Sequence, residues 1–168
     1  MNINKRKIGI IGAGHVGSHA GYALVSQGLV EEIVYIDVDE KKAEAQALDL
    51  YDSVTYLNRN AKVYAGNYSD IKDSQILIIA AGPLPDVSAG QTDRQQTLGS
   101  TVKILKEILP KIENSGFDGI ILSVSNPADV VAHYIQNYLG WSSNRILSTS
   151  TTLDSSRLRR AISEATGY

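Results

Sequence analysis

The chain has 168 residues, with Lys+Arg 16 against Asp+Glu 18, a balance that argues against a dedicated polyanion binder. That length supports one ordinary domain with a real core. Cysteine is absent, which excludes a disulfide scaffold and thiolate chemistry and fits a reducing, cytoplasmic setting.

The N-terminus carries charges but passes directly into an apolar run, so no cleavable h-region is expected. That run, Ile8-Gly9-Ile10-Ile11, reads as a buried parallel strand. It breaks into Gly12, Gly14 and Gly17 in G-x-G-x-x-G spacing. Val16, Ala20, Ala23 and Leu24 then recur at helical intervals, and a second apolar run from Ile33 to Ile36 ends on Asp37. In such a unit Gly12 permits the tight turn, Gly14 lets the backbone approach a pyrophosphate, and Gly17 lets helix and strand pack closely. The helix N-terminus offers free N–H groups to the phosphates. Asp37, twenty residues after Gly17, is placed to accept the hydroxyls of an adenosine ribose. A 2′-phosphate would face a like charge there, and no Arg or Lys follows before Lys41 and Lys42, so NAD is favoured over NADP.

Further along, Glu40 to Tyr51 is rich in Ala, Lys, Glu and Leu and reads as a helix with Ala43, Ala47, Leu48 and Leu50 inward. A short strand is expected over Ala61 to Ala65, a helical turn over Asp70 to Asp73, and a buried strand over Gln75 to Ala81. The run from Ile76 to Ala81 is the longest strongly apolar one and is far too short to cross a bilayer. Pro83 to Asp93 reads as a long loop of the kind that serves as a lid or binding loop. Leu98, Val102, Leu105, Leu109 and Ile112 form one stripe on a long helix that Pro110 should kink. A strand from Gly119 to Val124 ends in Ser125-Asn126-Pro127, where Asn126 by default caps a helix with Pro127 at its first position. The following helix turns Val131, Ala132, Ile135 and Leu139 inward. A short strand, Arg145 to Ser148, precedes a last helix beginning near Leu153.

Strands and helices alternate throughout, the pattern of an α/β doubly wound parallel sheet with expected strand order 3-2-1-4-5-6. Gly12, Asp37, Gly82, Asn126 and Thr149 all fall at the carboxyl ends of strands, where such sheets bind ligands. Asp154 and Arg157, three apart, share a face of the last helix. Spacing alone favours a plainer reading, with Asp154 as N-cap or charge complement of a helix start and Arg157 as a solvated residue beside Arg159 and Arg160.

Four ordered motifs now stand together. They are GIIGAGHVGS, Asp93-Arg94 after the fourth strand, Ser125-Asn126-Pro127 after the fifth, and Leu153-Asp154-Ser155-Ser156-Arg157 on the last helix. Together they resemble the NAD-dependent L-2-hydroxy acid dehydrogenases, the L-lactate and L-malate dehydrogenase superfamily, over essentially the whole chain. The long loop is most similar to that of the branched-chain L-2-hydroxyisocaproate members. The resemblance implies a Rossmann NAD-binding domain over residues 1–147 and the start of a substrate domain over 148–168. It implies cofactor contacts from Gly12, Gly14, His15, Val16, Gly17 and Asp37, from Ala80, Ala81 and Gly82, and from Val124, Ser125 and Asn126. It further implies that Arg94 polarises the substrate carbonyl, Asn126 hydrogen-bonds near it, Arg157 holds the substrate carboxylate, and Asp154 orients a catalytic histidine. A bidentate hold on a carboxylate suits a guanidinium fork. A cis peptide before Pro127 and a homo-oligomer, dimer or tetramer, are implied as well; no nucleic-acid, membrane or metal partner is.

Three departures qualify the resemblance. The family's proton donor lies in a Gly-Glu-His-Gly-like motif expected beyond the Asp154 helix, and this sequence reaches Tyr168 first. His15, His19 and His133 do not replace it on sequence grounds. The expected piece is therefore the cofactor half of a dehydrogenase, inactive alone; a dinucleotide-binding module without catalysis is the reading from a different class. Second, Ser148-Thr149-Ser150 stands where relatives carry glycines, so added side chains could crowd the nicotinamide side. Third, no Lys or Arg occurs from Pro83 to Asp93 to meet a second carboxylate, which disfavours malate. Val87, Ser88 or Ala89 would instead suit a modest apolar side chain.

Overall fold

The computed structural model describes residues 5–57, 60–83 and 97–168. Arg94 and the loop residues Val87, Ser88 and Ala89 lie outside the described residues. The elements run β1 (Lys7–Ile11), α1 (His15–Ser26), β2 (Glu32–Ile36), α2 (Glu40–Val54), β3 (Lys62–Ala65), a 3₁₀ turn (Tyr68–Ile71), β4 (Ile76–Ile79), α3 (Leu98–Asn114), β5 (Ile120–Ser123), α4 (Ala128–Leu139), a 3₁₀ turn (Ser143–Arg145), β6 (Ile146–Ser148) and α5 (Thr152–Thr166). All strand pairs are parallel, in the order β3-β2-β1-β4-β5-β6. This is the doubly wound sheet expected from the alternation of elements.

Alternate residues of each strand feed separate cores, as the two-residue period requires. Ile33 and Tyr35 join Val25, Ala43, Ala47, Leu50 and Val54 on the face covered by α1 and α2. Val34 and Ile36 join Leu105, Leu109, Ile112, Val131 and Ile135 on the face covered by α3 and α4. β1 and β2 are buried along their whole length, so apolar runs rather than alternating ones mark them. The chain returns from β3 to place β4 beside β1, and that reversal opens a crevice between the loops after β1 and β4.

Three expectations are corrected. In α1 the buried residues are Gly17, Gly21 and Val25, whereas Val16 and Ala23 are exposed and Ala20 and Leu24 only partly covered. Close approach decides the rotation: a Cβ on Gly17 would lie 1.9 Å from the Gly12 carbonyl oxygen, and one on Gly21 1.8 Å from the Tyr35 hydroxyl. In α2 Leu48 is exposed, and Val54, one turn beyond Leu50, completes the inner face. Before α4, Pro127 is the N-cap and not the first helical residue; the Asn126–Pro127 peptide is cis, as the resemblance implies. Helix α3 is continuous through Pro110.

Candidate functional site

The site begins where β1 ends. Gly12 adopts φ +100°, and a Cβ there would sit 2.8 Å from the Ala80 backbone, so only glycine serves this turn. Its N–H donates to the Ile36 carbonyl at 2.8 Å, binding the turn to the end of β2. The next N–H, of Ala13, donates to Asp37 Oδ2 at 2.7 Å. Asp37 Oδ1 accepts the Asp39 N–H at 3.0 Å. A carboxylate offers about four acceptor positions, so two remain for a ligand. Gly14 then caps α1 with no side-chain hydrogen bond of its own, leaving the helix start open.

A cleft of about 380 Å³ lies against this turn. Gly12, Gly14 and Asp37 line one wall, and Ala80, Ala81 and Gly82 another. The volume falls in the range of small-molecule sites. Lys42, Tyr68, Ile104, Glu107, Ile108 and Lys111 also line it, and the sequence motifs point to none of these as site residues. Lys42 Nζ stands 3.7 Å from where a Gly14 Cβ would be. A cation and bare backbone thus meet where a phosphate would rest. The Tyr68 phenol is pushed up to about 12, by burial first and then by the Asp37 and Glu107 carboxylates. It remains a neutral O–H donor at physiological pH. A smaller hollow of about 140 Å³ shares Asp37 and is lined by Glu40 and Glu44, so a 2′-phosphate would meet a cluster of carboxylates.

On the far side of β4, Ser125 is buried and its hydroxyl donates to the Ala81 carbonyl at 2.7 Å, joining the turns after β4 and β5. Val124 donates its N–H to the Ile79 carbonyl at 3.0 Å. Asn126 is exposed, and its carbonyl accepts the Thr101 hydroxyl at 3.1 Å. None of Val124, Ser125 and Asn126 lines the cleft, nor do His15, Val16 and Gly17. His15 and Val16 are exposed at the first turn of α1, and Gly17 is buried beneath the glycine turn. Asp154 and Arg157 share a face of α5 and pair with each other at 3.3 Å, exposed and outside the cleft. His19 Nδ1 lies 2.5 Å from the His15 carbonyl, and His133 contacts Asn137 at 3.0 Å; neither His19, His133 nor His15 lines the cleft.

These features fit a dinucleotide: a glycine-only turn, an open helix start, an acid at the tip of β2 and a basic group over the turn. The comparisons agree. Residues 6–148 match the family described as lactate/malate dehydrogenase, NAD binding domain. The chain is 45% identical to L-lactate dehydrogenase 3 of Bacillus cereus, over 98% of this chain and 51% of that enzyme. It superposes on minor L-lactate dehydrogenase from Enterococcus mundtii in its ligands-bound form, with TM-score 0.90 and 35% identity over 98% of this chain and 51% of the other. The Cryptosporidium parvum lactate dehydrogenase, solved with lactic acid and nicotinamide adenine dinucleotide, gives TM-score 0.90 and 28% identity over 99% and 51%. The chain thus spans about half the length of the relatives it matches. The fold, the glycine turn with its acid, and the match over residues 6–148 place this chain in the lactate/malate dehydrogenase family, as its NAD-binding domain.

Proposed function

We propose that the chain is the cofactor half of an L-2-hydroxy acid dehydrogenase acting on lactate or a branched-chain homologue. The observation that carries the reading is the cleft in which Asp37 closes on the glycine turn beneath Lys42. When bound, NAD supplies or accepts the hydride exchanged with the substrate α-carbon. Gly12, Gly14 and the α1 start bind the pyrophosphate with Lys42, and Asp37 holds the ribose. His15, Val16 and Gly17 frame that turn, Ala80, Ala81 and Gly82 wall the cleft, and Val124, Ser125 and Asn126 receive the nicotinamide side. Arg157 holds the substrate carboxylate, with guanidinium N–H groups to spare beyond its bond to Asp154. Asp154 orients and charge-stabilises the histidine that moves the proton, and Arg94 polarises the carbonyl.

Residues 148–168 begin a second domain on this reading, supported by a family match that ends at residue 148 and by an α5 without a buried residue. Lactate receives support from the names of the relatives, and a branched-chain acid from the long loop after Gly82. A homo-oligomer belongs to the same proposal, as does a cytoplasmic location; among the described residues no helix is long and apolar enough to cross a membrane.

Calorimetric titration of the folded 168-residue chain tests the cofactor reading. NADH should bind, and NADPH at least about tenfold more weakly, because like charges at Asp37, Glu40 and Glu44 oppose the extra phosphate. Folded protein that binds neither would sink the proposal. The same preparation should leave NADH unoxidised with pyruvate or 4-methyl-2-oxopentanoate, because none of its histidines lines the cleft; turnover tracking the purified chain would reassign the proton donor.

A further inference from the structure

The link between β6 and α5 holds the one non-glycine residue with positive φ among the described residues, Ser150 at +37°. A β-carbon makes that region costly, and glycine is the usual occupant. Two bonds hold Ser150 there. Its N–H donates to Ser148 Oγ at 3.1 Å, and its hydroxyl donates to Asp129 Oδ2 at 2.8 Å. Asp129 belongs to the first turn of α4, which is anchored in the core through Val131 and Ala132. The serines that stand in place of glycines thus turn their hydroxyls onto their own loop and onto α4.

Among the described residues, little else fixes the direction of helix α5. None of its fifteen residues is buried. Among the described residues, the same link adds two backbone hydrogen bonds, Thr149 N–H to the Ser123 carbonyl at 3.1 Å and Thr152 N–H to the Thr149 carbonyl at 2.8 Å. A glycine at 150 would reach the same φ and many others, so the helix could swing. A hydroxyl bonded to Asp129 removes that freedom.

We propose that Ser150 and Asp129 form a clip that sets the direction in which α5 leaves the sheet, making Ser150 a positioning residue for the Asp154–Arg157 face. The importance of that face rests on the functional reading above; the clip itself does not. Arg157 lies about 8 Å along the axis from Thr152, so a rotation of about 20° at Ser150 would carry it about 3 Å, where about 1 Å already matters to catalysis.

The sequence holds no cysteine, so Lys103→Cys on α3 and Ser163→Cys on α5, both exposed, take a pair of spin labels without background. Electron–electron double resonance on the whole chain should give a narrow distance distribution. Ser150→Ala and Asp129→Ala, which remove the donor and the acceptor, should each widen it at least about twofold. Ser150→Asn, which tolerates positive φ and donates from its amide, should keep it narrow. Ser150→Gly relieves the backbone cost, so it should fold with no loss of melting temperature and yet widen the distribution, an uncoupling that a purely stabilising contact would not produce. Unchanged widths in Ser150→Gly and Asp129→Ala, with helical circular dichroism retained, would overturn the proposal. Because no dinucleotide or substrate is added, that result is independent of whether NADH binds.

Discussion

The Asp37 carboxylate accepts the Ala13 N–H at 2.7 Å and the Asp39 N–H at 3.0 Å, so the acid assigned to the ribose also shapes the turn that meets the phosphates. Hydrogen bonds to a charged acceptor are worth about 1.5–3 kcal/mol each when well made. Asp37→Ala should therefore cost about 3–6 kcal/mol of stability and weaken NADH binding at least about tenfold, read by thermal melting and calorimetry. Unchanged values for both would mean the carboxylate is idle. Asp37 was legible from its spacing after Gly17 and its place at the end of an apolar run. Lys42 is not legible as a cleft residue from the glycine motif, although Asp39 caps α2 by accepting the Lys42 N–H at 3.2 Å, which places Lys42 in the first turn beside the cleft. Tyr68 and Lys111 left no comparable trace, because they reach the cleft from a 3₁₀ turn and from α3, elements far apart in sequence.

Among the elements, α1 shows most clearly how packing overrides pattern. Its apolar residues suggest one inner face, but the face that meets the sheet is set by which positions can lack a side chain. Tyr35 is fully buried, with its hydroxyl where a Gly21 Cβ would fall, and burial pushes its phenol up to about 12. Gly21→Ala should destabilise the domain by about 1–3 kcal/mol, as overpacked cores do. Combining it with Tyr35→Phe should recover part of that loss, since the hydroxyl is the nearest clash and Cζ, at 2.8 Å, remains. A fully additive pair in chemical denaturation would refute this account of the helix rotation. By contrast Val16→Ala, on the exposed face, should stay within about 0.5 kcal/mol. The stripes of α3 and α4 are largely legible in the sequence, because both helices bury large side chains against the sheet and periodicity reports that geometry directly.

At the scale of the whole molecule, the edge of the sheet opposite the cleft is tied by charge. Lys7 Nζ reaches Asp73 at 2.6 Å and Glu32 at 3.3 Å, and the Tyr64 hydroxyl donates to Glu32 at 3.1 Å, so β1, β2, β3 and the start of β4 meet in one network. Burial opposes charge on Glu32, but Lys7 and the Tyr64 hydrogen bond outweigh it and hold the carboxyl below its usual range. The hydrogen bond from Lys7 likewise lowers Asp73. For Lys7 burial is again outweighed, by Asp73 and Tyr64, and the ammonium is raised above its ordinary 10.5. A lowered carboxyl stabilises the fold above its unfolded pKa and loses that contribution as pH falls through its folded value; a raised lysine loses its contribution only at strongly alkaline pH. The melting temperature should therefore fall as pH drops from about 5 to 3, and less steeply in Glu32→Gln. Equal slopes in both proteins would show that the network does not titrate with folding. What the sequence by itself determined was the order of elements, the strand sequence of the sheet, the glycine turn and the acid across from it, because these depend on local periodicity and short-range spacing. Only the tertiary structure decided which face of α1 is buried, which lysine and tyrosine reach the cleft, and how Ser150 is held against Asp129. Those depend on side chains brought together across tens of residues, where close approach of backbones, and not the local pattern, selects the partners.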